Sequence, residues 1–221
     1  MTDHASPTPE ERKARLDAIA AEIARCTKCV LHRSRTHTVP GDGPVNAEIM
    51  FIGEGPGFHE DQQGLPFVGA SGKYLEELLA AIGLSRREVF ITNVVKCRPP
   101  QNRDPLPGEV EICTKTYLER QIALLNPKII ITLGRYSMGL FFPDGKITRI
   151  HGQPKRQDGR IYYPLYHPAA VLRNPDLRPV MDADMKRILD LLQEARQAEQ
   201  KPSGDEPPPP ADERPVQLSL F

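Results

Sequence analysis

The run KIIITL, residues 128–133, is apolar at almost every position. A strand with one wet face alternates apolar and polar side chains, so a near-continuous apolar run predicts a strand covered on both faces. Three more β-rich runs accompany it: EIMFIG (48–53), VFITNVV (89–95) and IYYPLY (161–166). Helical patterns lie between them, notably SGKYLEELLAAIGL (71–84) and PGEVEICTKTYLERQIALL (107–125), and KRILDLLQEARQAE (186–199) closes the body. Strands alternating with helices long enough for crossovers predict an α/β fold, a three-layer α/β/α sandwich around a central four-stranded parallel sheet. In such sheets ligands sit beyond the carboxyl ends of the strands. Three loops fall there: GEGPG after the first run, KCRPPQNRDP after the second and HPAAVLRNP after the fourth.

With 221 residues the chain exceeds the usual single domain without reaching the size that calls for a second core. One domain over residues 9–200 is expected, with a disordered leader over 1–8 and a tail over 201–221. Hydrophobic residues make up 39% and charged residues 26%, ordinary values that exclude global disorder. A net charge of zero excludes a uniformly basic nucleic-acid coat and leaves room for a local basic face. No apolar run approaches the roughly 20 residues of a membrane span. The N-terminus, MTDHASPTPEERKAR, has no apolar segment after its charges, so a cytoplasmic protein is expected.

A cytosolic compartment keeps thiols reduced, which makes metal or cluster ligation the leading use of the four cysteines. Residues 9–25 carry Leu16, Ile19, Ala20 and Ile23 at helical spacing and deliver the chain to Cys26. Cys26 and Cys29 form a C-x2-C pair; Cys97 follows the second strand run and Cys113 lies in the next helix. The distant pair closes a site if the fold brings it to the first two. Spacing alone leaves structural zinc and an iron-sulfur cluster both open. In either case the centre would pin the first helix to the loop after the second strand.

The stretch GEGPGFHEDQQGLPFVGASG, residues 53–72, holds six glycines, which let backbone approach a ligand closely. It contains no GK[ST] and no G-x-G-x-x-G opening into a helix, which weakens a nucleotide-binding reading. Phe67 is either core or a platform on which a base stacks. Asn93, near the end of a strand, presents a donor and an acceptor together, although a lone Asn is more often a turn or cap residue. His167 ends the last strand, a position that raises the chance of a functional role.

Taken in order, GEGPG-x2-ED-x2-G-x-PFVG-x-SG, N-x2-KCRPP-x-NR-x-P and HPAAVLRNP, joined to the cysteine pattern, resemble the family 4 uracil-DNA glycosylases over about residues 20–195. The resemblance implies a [4Fe-4S] cluster on Cys26, Cys29, Cys97 and Cys113, and hydrolysis of the N-glycosidic bond of uracil in DNA. A flipped base would enter a pocket lined by Glu54, Gly55 and neighbouring amides, stack on Phe67 and meet Asn93 through its O4 and N3–H. His167 would hydrogen-bond O2 and stabilise the departing anion. Gly55 stands where the best-known relatives carry a carboxylate, which leaves Glu54 and Glu60, ahead of Asp61, as helpers for the attacking water. Leu172 would wedge into the vacated stack, with Arg98, Arg103 and Arg173 on phosphates. A monomer is expected.

The alternative is a protein that binds uracil-DNA tightly or covalently without turnover. One relative reacts through the histidine of a KRRIH loop after the second strand, where this chain reads CRPPQNRDP. The similar TRIH, ending at His151, follows the third strand, so His151 is read as a loop or DNA-contact residue.

From Lys201 the chain turns to KPSGDEPPPPADERP and ends in QLSLF. The first part reads as an extended linker. The last five residues resemble the QL[SD]LF peptide that docks bacterial DNA-processing proteins onto the replicase sliding clamp. Leu218, Leu220 and Phe221 would fill an apolar groove while Gln217 sets the register. That partner would bring the protein to the nucleoid.

Overall fold

The computed structural model describes residues 7–200; the first six residues and the tail from 201, with its QLSLF peptide, lie outside them. The chain opens with α1 (Pro9–Ala24), started by a reciprocal cap. Thr8 Oγ1 accepts the Glu11 N–H at 3.2 Å while the Glu11 carboxylate accepts the Thr8 N–H at 2.9 Å, so the helix is anchored one residue inside the expected leader. There follow β1 (Ile49–Gly53), α2 (Phe58–Gln63), α3 (Ala70–Ala81) and β2 (Phe90–Asn93). Next come α4 (Pro107–Cys113), a widened π turn over Thr114–Leu118, and α5 (Glu119–Leu125), which together run as one helical rod. The chain ends with β3 (Ile129–Leu133), α6 (Arg135–Gly139), α7 (Ile147–Ile150), β4 (Lys155–Gln157), β5 (Arg160–Leu165), α8 (Pro168–Arg173) and α9 (Arg178–Gln200).

The sheet order is β2-β1-β3-β5-β4. The four expected strands are β1, β2, β3 and β5, all parallel; the expected count is corrected by β4, which pairs antiparallel with β5. Its three residues, Lys155, Arg156 and Gln157, are exposed and polar, so no apolar pattern announces them. The local signal is Asp158-Gly159, both at positive φ (52° and 70°), a two-residue hairpin whose flanks Gln157 and Arg160 pair.

Successive strand residues divide between two cores, as a period of two requires. Ile49, Phe51, Ile91, Ile129, Ile131, Ile161 and Tyr163 pack with Leu75 and Leu79 of α3, Val171 of α8 and Met181, Met185 and Ile188 of α9. Met50, Ile52, Phe90, Ile130 and Tyr162 pack on the other face with Ile19 and Ile23 of α1 and with Tyr117, Leu118 and Leu125 of the α4–α5 rod. Cys97 and Cys113 are buried in this second layer. The connection from β1 leads to β2 on one side, whereas β3 lies on the other. That reversal opens a crevice at the carboxyl ends of β1 and β3, where α/β proteins place ligands.

Candidate active site

A cleft of about 630 Å³ occupies this crevice. Glu54 and Gly55 enter it from β1, Asn93 from β2, Gly134 and Arg135 from the end of β3, and Tyr166 and His167 from the end of β5. Asn93 is only 1% exposed, and its side-chain oxygen has no hydrogen-bond partner among the described residues. An unmet buried acceptor costs about 1–3 kcal/mol, and this one belongs to a residue that lines the cleft.

Close packing fixes the wall beside it. Gly53 pairs with Asn93 in the sheet, and a Cβ on it would stand 2.4 Å from Asn93 Oδ1 and 2.7 Å from the Phe67 ring. Phe67 is buried with φ at 53°, a left-handed conformation uncommon for a bulky residue. Its backbone is held from two sides. A Cβ on Gly72 would lie 1.8 Å from the Phe67 carbonyl oxygen, and Arg86 Nη1 donates to that same oxygen at 2.8 Å while Nη2 donates to the Pro66 carbonyl. The Phe67 ring lies 5.7 Å from that of His167 at 30°, so two flat groups border the cleft.

His167 caps α8, its Nδ1 accepting the Ala169 N–H at 3.1 Å. That bond leaves the proton on Nε2. Burial, reinforced by the charge of Arg173, lowers its pKa to about 4, so the ring is neutral near pH 7 and offers one N–H donor.

The carboxylates differ in how far the protein occupies them. Glu60 Oε1 accepts the N–H groups of Val68 and Gly69 at 2.9 and 2.8 Å, and Oε2 accepts that of Gly57 at 3.1 Å. It staples both ends of the loop that carries Phe67. Asp61 is buried and accepts the Thr36 N–H at 2.9 Å. Glu54 makes no side-chain hydrogen bond among the described residues; burial, then the charge of Asp104, raises its pKa, with Arg135 and Arg173 opposing. A carboxylate with free lone pairs in a cleft is the one able to take a proton.

On the rim, Arg135 pairs with Asp104, and Arg103 grips the buried Glu109 through two bonds of 2.9 and 2.7 Å. Arg98 donates to Asn102 at 2.7 Å, Leu172 is exposed on α8, and Arg173 lines the cleft. His151 stands behind the cleft: its Nδ1 meets Asp184 Oδ2 at 2.8 Å and its ring lies 4.7 Å from that of Tyr166.

All four cysteines line a single small cavity between α1, the loop after β2 and the α4–α5 rod. Among the described residues, no three His, Cys, Asp or Glu side chains are arranged to hold a single metal ion. Four thiols converging on one cavity are soft donors that suit zinc and an iron-sulfur cluster alike, so the set fits a bound centre of either kind. Donors surround the sulfurs: Arg35 Nη1 lies 3.2 Å from Cys97 Sγ, the Lys96 N–H 3.3 Å from Cys113 Sγ and the Lys28 N–H 3.5 Å from Cys26 Sγ. Burial raises the Cys113 pKa to about 11, so a metal's positive charge is what would hold it as thiolate.

A family model described as the uracil DNA glycosylase superfamily matches residues 40–193. The chain belongs to that family, in its type-4 branch. It is 48% identical to a type-4 uracil-DNA glycosylase of Sulfurisphaera tokodaii over 186 residues, 80% of this chain and 84% of the relative. A type-4 uracil-DNA glycosylase of Thermotoga maritima is 41% identical over 182 residues, 80% of this chain and 94% of the relative. A DNA polymerase of Bacillus phage SP01 is 30% identical over 154 residues, 69% of this chain and 17% of the polymerase.

Within this glycosylase framework, sequence reasoning missed Arg86 behind Phe67, Arg35 beside the cysteines, and the Arg135–Asp104 pair. Arg35 and Arg86 reach their partners over long sequence separations, and no local motif marks them. Asp104 stood in a quoted loop, but nothing there pointed to Arg135.

Proposed function

We propose that the protein excises uracil from DNA as a monofunctional hydrolase, leaving free uracil and an abasic site. The observation that carries this reading is the buried, partnerless oxygen of Asn93, which lines the same cleft as the Phe67 ring and the neutral His167. A flipped uracil stacks on Phe67, gives its N3–H to Asn93 Oδ1 and accepts at O4 from Asn93 Nδ2. Cytosine offers an amino group and a bare N3 at these places, so both bonds fail and the buried amide is left unpaired.

Bond cleavage sends the glycosidic electron pair to the base and leaves positive charge on the sugar. His167 Nε2–H donates to the uracil O2 on which negative charge collects; a preorganised donor of this kind is worth about 3–4 kcal/mol. Glu54 orients the water that adds to the sugar and takes its proton, while Glu60 positions the loop. The cleft lining includes no lysine among the described residues, which fits attack by water rather than by an amine.

Cys26, Cys29, Cys97 and Cys113 hold a [4Fe-4S] cluster that joins α1 to the loop carrying Arg98 and Arg103. When bound, the cluster supplies cross-linking and positive charge for the thiolates. The tail docks on the replicase sliding clamp through Gln217, Leu218, Leu220 and Phe221, which places the enzyme at the nucleoid. The polymerase relative, in which the matched stretch is a small part of a larger chain, fits such a link to replication.

Single-turnover incubation with a uracil-containing oligonucleotide tests the reading. Free uracil and an abasic strand are expected, with strong slowing by Asn93→Ala and by His167→Ala. A stable protein–DNA adduct, or full activity in both variants, would overturn it.

A further inference from the structure

Phe58 is the one aromatic among the exposed large apolar side chains of the described residues, 52% exposed at the first position of α2. Its chain neighbours Gly57 and His59 both line the cleft, so the ring sits on the lip. It is nevertheless held. The guanidinium of Arg98 lies over the ring, 5.1 Å from its centroid, and His59 meets it edge-on at 5.4 Å. Arg98 is itself anchored by its 2.7 Å bond to Asn102, a cleft residue in left-handed conformation. The guanidinium thus backs one side of the ring and His59 stands at 79° to it, while about half of the residue stays open to solvent. A fixed, half-open aromatic ring backed by a cation, continuous with a cleft for a nucleotide, suits a flat base whose phosphates the cation attracts.

Resting on the glycosylase reading above, we propose that Phe58 and Arg98 form a second base-binding subsite, which stacks one unpaired nucleobase next to the flipped uridine. Bases in a duplex are already stacked on their neighbours and unavailable to Phe58. The subsite therefore acts on single-stranded DNA and favours it.

Fluorescence anisotropy with single-stranded oligonucleotides carrying one uracil tests this in the full chain. A set of strands has the nucleotides on either side of the uracil replaced, one position at a time, by an abasic analogue. Phe58→Ala should bind the unmodified strand about 5- to 150-fold more weakly, the range for loss of one base–aromatic stack. Against one particular abasic strand the two proteins should bind alike, and Phe58→Tyr should restore the difference. On duplex DNA the variant should match the parent within twofold, with an unchanged melting temperature. Equal weakening on every strand, or none on any, would overturn the subsite. Because anisotropy does not require uracil release, the expected pattern in a protein that released no uracil would sustain the subsite and refute the glycosylase reading alone.

Discussion

Replacing Gly53 by alanine adds a single methyl group at the point where both walls of the base slot meet. The new carbon would stand 2.4 Å from Asn93 Oδ1 and 2.7 Å from the Phe67 ring. Ordinary contact begins at about 3.4 Å, so one or both walls must retreat by roughly 1 Å. Neither has slack: Asn93 is in the β1–β2 ladder, and the Phe67 backbone is wedged between Gly72 and Arg86. Overpacking of this size costs about 1–3 kcal/mol. For a domain of this length that lowers the melting temperature by roughly 2–12 °C. A displacement of 1 Å at a reacting centre costs about 100-fold in rate. Gly53→Ala should therefore remain folded at 25 °C yet release uracil about 100-fold more slowly in single turnover, with DNA binding far less affected. A variant with the parental rate would refute the account of the slot, whatever its melting temperature.

For His167, the lowered pKa means that the unfolded chain takes up the proton first, so stability falls as pH drops from about 6.5 toward 4. His167→Asn should flatten that decline, and an NMR titration of the ring with an ordinary midpoint near 6.5 would contradict the buried neutral form. Glu54→Gln should slow base release about 100-fold or more while leaving DNA affinity intact, whereas Glu60→Gln should weaken binding as well, because its three backbone bonds hold the loop. Cys97→Ser should lose the absorbance at about 400 nm expected of an iron-sulfur cluster and lower the soluble yield; a brown, stable variant would remove Cys97 from the ligand set. Deleting residues 217–221 should abolish micromolar-scale clamp binding and leave excision on short oligonucleotides unchanged, and loss of excision would assign the tail to the fold.

The layered architecture was legible because strands buried on both faces read as apolar runs, and the three ligand-side loops followed from the sheet rule. Which residues of β1 and β3 face which core came only from the structure, because a continuously apolar run carries no alternation to read. What else escaped was carried by polar residues and by distance. The edge strand Lys155–Gln157 has no apolar face to betray it, and Arg86 acts on Phe67 through a turn no pattern connects to it. The sequence set Glu54 and Glu60 together, ahead of Asp61, and could not part the two glutamates. They part only when the backbone N–H groups that occupy Glu60 are seen, because hydrogen bonding is settled by the folded path.

The short β4 strand also governs how these molecules meet one another. An open sheet presents unpaired N–H and C=O groups at each rim, a template for a neighbouring copy. Here one rim is the three-residue polar strand Lys155–Gln157, too short to offer a long template, and the other is covered where Asp42 bridges Ile91 through bonds of 2.9 and 2.8 Å. With one rim short and polar and the other bridged, the described sheet offers crowded copies little template for edge-to-edge pairing.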